Sequence, residues 1–374
     1  MNRLARFGSF FMMLAALSIS SFAGTSYVIV NNNFQSGNSV SAYKLDTANG
    51  MLSFYGKIAT TGQSLGGGIV AVGQAITRDG HCLFAIDTQS NDIAAFASPS
   101  YKLVGKFSNS ALNFSSYAGG TIAVSPNGKF LYGAYTGTFN IGAWQVNPNC
   151  SLTFIAAYVP SVGSDAYSAL GVSPNGSVLV VSAPDLQAAE SFKIDSNGGL
   201  TDLGFVAFAN VTSCASEGCF PAALDFTKDS KIVVFGNATG QPSVLTASLG
   251  TSGVLTNPQL WDLPNSPNLV FSNAVFLSAG AYAGSGFLYV GMVGGVVTAT
   301  FTASPLSITA TNATAIPAYY SGGLAATGDT LVLTEPPQDL GSFKINSDGS
   351  LTPLSTVNDP SGAPIWPTIY PNTR

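Results

Sequence analysis

The chain is poor in charge and has almost no histidine. Of 374 residues, 13 are lysine or arginine, 18 are aspartate or glutamate, and His81 is the one histidine. Charged residues make up 8%, against about 25% in ordinary soluble domains. With so few cations, no nucleic-acid or anionic membrane surface is expected. A Ser–His pair would have to use His81, and no G-x-S-x-G elbow occurs anywhere. Gly66-Gly67-Gly68 lacks the following Lys-Ser/Thr of a phosphate loop. Neither C-x-x-C nor a Cys/His ligand spacing is present, and the neighbouring carboxylates Asp185 and Glu190 lack the order of a calcium loop. No metal and no cofactor are expected.

Long apolar runs are also scarce. Phe7 to Ile19 is too short to span a bilayer; with Arg3 and Arg6 before it and Ser21-Phe22-Ala23 after it, residues 1–23 read as a signal peptide cleaved after Ala23. No cysteine follows that site, so a lipid anchor is not expected. The mature chain, 24–374, keeps 11 basic and 18 acidic residues, a net charge of −7, and is expected to be secreted or periplasmic. The uncharged run Gly284 to Phe301 reads as two buried strands around Gly294-Gly295, not as a membrane span. Four cysteines in an oxidising compartment suggest disulfides. Cys214 and Cys219, close together in SCASEGCF, form the natural pair; Cys82 with Cys150 would complete the set, although sequence leaves connectivity open.

What the chain has in abundance is a repeat. The turn SPNGK (125–129) returns as SPNGS (173–177), with TRDGH (77–81) and TKDSK (227–231) as variants and AGSGF (283–287) and ATGDT (326–330) as degenerate forms. Each turn joins two short apolar strands, a third alternating strand follows, and a fourth often comes after a polar turn, as in NSDGSLTPLST. Four short antiparallel strands every 43 to 56 residues is the pattern of propeller blades. Two stacked sandwiches would show no common period. The first unit, SYVIVNNN, starts at a second strand, and its missing first strand lies at the other end of the chain. There Thr368-Ile369-Tyr370-Pro371-Asn372 matches the register of IAVSPN. Counting this closure gives seven blades in a single all-β domain, closed by the C-terminal strand joining the first blade.

SGNSVSAYKLDTANGMLSF, IAVSPNGKFLYGAYTGTFNIGAWQVNPNCSLTF and SFKINSDGSLTPLST resemble repeats of the lactonase-type seven-bladed propellers, which include the 6-phosphogluconolactonases and carboxymuconate cyclases. The resemblance covers essentially the whole mature chain. It implies a lactone hydrolase with its pocket among the loops between strands two and three and those joining blades.

Carboxylates fall in those loops. Lactone hydrolysis can use a carboxylate as general base on water and a donor to hold the oxyanion. Asp185, Glu190 and Glu335 are the candidate bases; Asp87, Asp92, Asp165 and Asp339 are candidate binding groups. Tyr167, Tyr319 and Tyr320, in blade-joining loops, could present a neutral surface to a sugar or peptide. No Arg or Lys falls in these loops: Arg78, Lys129, Lys228, Lys231 and Arg374 sit at the opposite turns, and Lys57, Lys102 and Lys106 in or near fourth strands. A phosphorylated substrate needs such cations. The expected ligand is therefore a small neutral lactone or carbohydrate. The alternative is a non-catalytic propeller that binds a sugar, peptide or protein on the same face. A monomer is expected. His81 is read as a solvated turn residue, with Asp79-Gly80 before it.

Overall fold

The computed structural model describes residues 25–64, 73–98, 100–108, 120–135, 140–163, 169–214, 218–238, 243–263, 270–277, 285–316, 323–335, 339–359 and 365–370. The proposed signal peptide lies outside these. The described residues form seven antiparallel four-stranded sheets and one short 3₁₀ turn, Phe208–Asn210. The innermost strands of successive sheets touch around a ring. No helix among the described residues is long and apolar enough to cross a membrane. The uncharged run expected to be two strands is two strands, Ser285–Val293 and Gly295–Ala303, turning at Gly294 with φ +92°.

The repeated turn explains the start of most blades. In blade 3, Gly128 N–H bonds the Ser125 carbonyl at 2.8 Å, and Ser125 Oγ donates to Asn127 Oδ1 at 2.7 Å while accepting from Phe130 N–H at 3.0 Å. Ser173-Asn175 and Thr227-Asp229 repeat the hydroxyl-to-side-chain bond at 2.8 and 2.7 Å. Gly128 and Gly176 have φ of +71° and +75°, which glycine adopts without a Cβ penalty. In the variant TKDSK, Ser230 takes the same conformation at +59°.

Closure is as expected. Ile365–Tyr370 is the first strand of blade 1 and pairs with Thr25–Asn31, setting Tyr370 opposite Tyr27 and Ile369 opposite Val28. This places Tyr370 where Ser125 stands in blade 3.

Packing follows from the second strands, which are buried on both faces, as in Cys82–Asp87. Alternate residues go to opposite neighbours: Leu83 and Ala85 pack with Ile29 and Val40 of blade 1, Phe84 and Ile86 with Leu131 and Trp144 of blade 3. Seven apolar clusters result, one in each gap between blades. Cys82–Cys150 ties blade 2 to blade 3, and Cys214–Cys219 closes a loop after blade 4; both pairs have Cα atoms 5.3 Å apart.

One regularity is not visible in the sequence. A bulge interrupts the pairing of third and fourth strands in every blade. In blades 1, 2, 3, 6 and 7 its extra residue is Tyr55, Val104, Ile155, Thr311 and Leu354. Bulges bend the strand and re-aim a side chain.

Removal of residues 365–374 should lower the midpoint of one cooperative thermal transition for the whole domain. It bares the edge of Thr25–Asn31 and takes Ile369 out of the core between blades 7 and 1. A melt with an unchanged main transition and a small early phase would mean that the strand is only an appendage.

Candidate functional site

The loop end of the ring is set by the equivalent positions at which the second strands run into their hairpins. In register these are Asn32, Asp87, Tyr135, Ala183, Asn237, Met292 and Glu335 for blades 1 to 7. Two of these steps carry carboxylate pairs: Asp87 stands opposite Asp92, and Glu335 opposite Asp339. They belong to blades 2 and 7, which flank blade 1. Acidic positions thus fall on one sector of the ring.

The blade 2 pair is fully described. Asp87 is buried, and Asp92 is 6% exposed. Asp87 Oδ1 accepts from Thr60 Oγ1 at 2.7 Å and from Asn38 Nδ2 at 2.8 Å. Asn38 Nδ2 also donates to Asn31 Oδ1 at 2.8 Å, and Asn31 Nδ2 donates to the Ile86 carbonyl at 3.0 Å. Ser64 Oγ donates to Asn33 Oδ1 at 2.5 Å and stands 3.0 Å from Thr88 Oγ1. Asn31 and Asn38 of blade 1, with Asn33 through Ser64, therefore form one side of a buried polar joint to blade 2, while Asn32 bonds Ser39 and Ser41 within blade 1. Gly62 lies so close that a Cβ there would overlap the Asp87 carboxylate.

Asp92 Oδ2 is ion-paired with Lys106 Nζ at 2.8 Å, and Lys106 Nζ also donates to the Thr61 carbonyl at 3.3 Å. This corrects the expectation that no cation reaches this end. Lys106 sits on a fourth strand, opposite Ala94, but its long side chain carries the ammonium across to the carboxylate. Asp87 Oδ2 and Asp92 Oδ1 are buried without a hydrogen-bond partner. Burial pushes the Asp87 carboxyl up to about 7, against the bonds from Thr60 and Asn38, and the charge and contact of Asp92 add to the rise. A carboxyl titrating near neutrality, beside a carboxylate paired with lysine, can give or take a proton near neutral pH.

The other candidates are placed differently. Glu190 is buried, and both its oxygens are engaged: Oε1 accepts from Ser161 N–H at 2.8 Å and Ser161 Oγ at 3.0 Å, Oε2 from Val162 N–H at 2.9 Å. It ties down the connection between blades 3 and 4, and desolvation raises its carboxyl against those bonds. Asp185 is exposed in the hairpin of blade 4. Asp339 is partly buried and accepts from Asn358 Nδ2 at 2.9 Å. Glu335 is described only as a strand position opposite Asp339; Asp165, Tyr167, Tyr319 and Tyr320 lie outside the described residues.

His81 is not simply solvated. Its Nε2 donates to the Pro148 carbonyl at 2.8 Å and its Nδ1 meets Ser98 Oγ at 3.2 Å, bridging blades 2 and 3 beside the Cys82–Cys150 disulfide. Among the described residues this is the one grouping of three metal-ligating side chains, and its two sulfurs are bonded to each other. Arg78 and Lys228 stand at the opposite mouth of the central channel, around a cavity of about 500 Å³.

Solved structures with the same architecture cover nearly the whole chain. The periplasmic gluconolactonase of Pseudomonas aeruginosa superposes with TM-score 0.69 at 15% identity, over 92% of this chain and 99% of its own. A 6-phosphogluconolactonase candidate from Bacteroides fragilis gives 0.73 at 15%, over 94% and 99%, and a Lactobacillus plantarum protein 0.71 at 15%, over 92% and 100%. The fold is that of the lactonase-type propellers. At these identities the likeness concerns architecture, not activity. No family model and no curated protein matches the chain.

Asp87 carries into the native state a proton that the unfolded chain has lost above its ordinary carboxylate range. Native stability should therefore fall as pH rises from about 4 to about 7. Asp87→Asn should remove that slope, read as thermal midpoints across the interval; parallel wild-type and variant curves would show that Asp87 does not hold the proton. Gly62→Ala should destabilise by about 1–3 kcal/mol in urea melts, the range for overpacking a filled site. An unchanged midpoint would mean that the joint yields freely.

Proposed function

We propose that this protein is an exported lactone hydrolase acting on a small neutral lactone, with a carboxylate at the loop end of the ring activating water. The observation that carries the reading is the register pair Asp87–Asp92 with Lys106, a buried carboxyl raised toward neutrality beside an ion-paired carboxylate. In this reading Asp92 takes the proton of the attacking water as its oxygen bonds the lactone carbonyl carbon, Asp87 and Lys106 stabilise the oxygen on which charge develops, and the proton passes to the ring oxygen as the ring C–O bond breaks, giving the hydroxy acid. The second acidic step of the sector, Glu335 opposite Asp339, is the alternative base. The lactonase-type architecture supports the reaction class. Two disulfides with no free cysteine support an oxidising compartment.

The substrate is neutral for an electrostatic reason. Among the described residues the cation at this end, Lys106, is already ion-paired with Asp92, and Arg78 and Lys228 line the far mouth. A phosphorylated lactone would meet carboxylates with no arginine to pair its charge.

One observation favours the non-catalytic alternative, a propeller that binds a sugar, peptide or protein at this end. Asp87 and Asp92 are deeply buried and knit two blades together, which a purely structural joint would also require.

The test is a pH-stat assay of residues 24–374 against neutral and phosphorylated lactones. Turnover of a neutral lactone is expected, reduced at least 100-fold in Asp92→Asn, the scale of a lost general base, with Glu335→Gln assayed beside it. Faster turnover of the phosphorylated lactone would refute the electrostatic argument. A folded protein inert to all of them would leave the binding propeller as the reading.

A further inference from the structure

The gap between blades 1 and 2 holds a second site, at the opposite end of the strands from Asp87 and Asp92. Among the described residues the apolar core of this gap is the smallest of the seven, with six buried side chains. Beside it lies a cavity of about 440 Å³, within the range of small-molecule pockets, about 300–1,000 Å³.

Four of the chain's 14 tyrosines wall this cavity: Tyr27, Tyr55, Tyr101 and Tyr370. Two are fixed to the first turn of blade 2, where Tyr370 Oη donates to the Asp79 carbonyl at 2.6 Å and Tyr101 Oη to the Gly80 carbonyl at 2.9 Å. Tyr370 comes from the closing strand, directly opposite Tyr27, so this wall exists only in the closed ring. Tyr55 is the extra residue of the blade 1 bulge. Its ring lies 5.3 Å from that of Tyr27 at 58°, with Lys44 Nζ 4.7 Å from its centre, and it remains 59% exposed. The same bulge position holds aliphatic residues or threonine in blades 2, 3, 6 and 7. An aromatic there distinguishes blade 1.

The rest of the lining mixes the apolar side chains of Ile29, Val40, Ile58 and Leu83 with the Asp79 carboxylate, the Lys57 ammonium and the hydroxyls of Ser98 and Ser100. Lys57 and Asp79 offset each other in the lining, and the Lys44 ammonium is engaged with the Tyr55 ring. Flat apolar walls with donors and acceptors at their edges complement a ring that is apolar on its faces and hydroxylated at its rim. We propose that the gap between blades 1 and 2 is a binding site for a neutral hexopyranose unit, seated against Tyr55 and Tyr27. The proposal does not depend on lactone hydrolysis at the loop end.

Saturation-transfer NMR tests it, with residues 24–374 and four probes: methyl β-glucopyranoside, methyl β-galactopyranoside, methyl α-mannopyranoside and N-acetylglucosamine. At least one should receive saturation at its ring C–H protons. Tyr55→Ala, at an exposed position, should weaken that binding about tenfold, the scale of one aromatic contact; Lys57→Met gives a second variant in an exposed side chain. Asp92→Asn should leave sugar binding unchanged whatever it does to hydrolysis, so the two sites fail independently. Saturation of none of the four sugars, or binding indifferent to both Tyr55→Ala and Lys57→Met, overturns the proposal.

Discussion

Everything in this molecule depends on each sheet having a neighbour on both sides. A second strand such as Cys82–Asp87 is buried throughout, sending Leu83 and Ala85 one way and Phe84 and Ile86 the other. Neither face has a partner within its own blade, so an open row of blades would expose one apolar face at each end. Ile365–Tyr370 removes that end by lending its strand to blade 1, and Ile369 then joins the core shared with blade 7. Stability is thus a property of the ring and not of any unit in it.

The blade 1–blade 2 boundary is built differently from the others. Its apolar core is small, and polar chemistry adds to it at both ends of the strands. At the loop end, Asn31, Asn38, Thr60 and Ser64 of the blade 1 segment meet the Ile86 carbonyl, Asp87 and Thr88 of blade 2. At the turn end, Tyr370 and Tyr101 clasp the turn that begins blade 2. An unpaired buried polar group is costly, so the hydrogen bonds from Thr60 and Asn38 to Asp87 and the Lys106–Asp92 ion pair have a structural role as well as a chemical one. The next boundary, between blades 2 and 3, is reinforced instead by a disulfide and by His81.

The loop end and the turn end differ in their cations for a topological reason. Turn residues of each repeat point to one end of the ring, where Arg78, Lys129, Lys228 and Lys231 stand among the acids Asp79, Asp229 and Asp329 of the same turns, Lys231 being ion-paired with Asp229. Hairpin residues point to the other, where Asp87, Asp92, Asp185 and Asp339 fall and Lys106 reaches Asp92. Basic residues thus concentrate in the turns, while acids occur at both ends.

The repeated turn, the alternation of its strands and the displaced first strand determined the seven-bladed ring, because those signals are local and recur with a period that any alignment of the chain on itself exposes. Tyr370 fell in the expected register, and both cysteine pairs formed as spacing suggested. The loop-end carboxylates were legible as a set, but not which of them stand opposite each other. That needed the hairpin register that sets Asp87 against Asp92, and the reach of Lys106 from a strand assigned elsewhere. Glu190 looked like its neighbours in sequence, and only the connection folded over it shows both oxygens engaged. The tyrosine-walled gap was invisible, since its four rings lie as far apart in the chain as residues 27 and 370 and one depends on a bulge. Periodicity fixes which face of a strand a residue occupies; which side chains meet across a gap between blades is decided only when the ring closes.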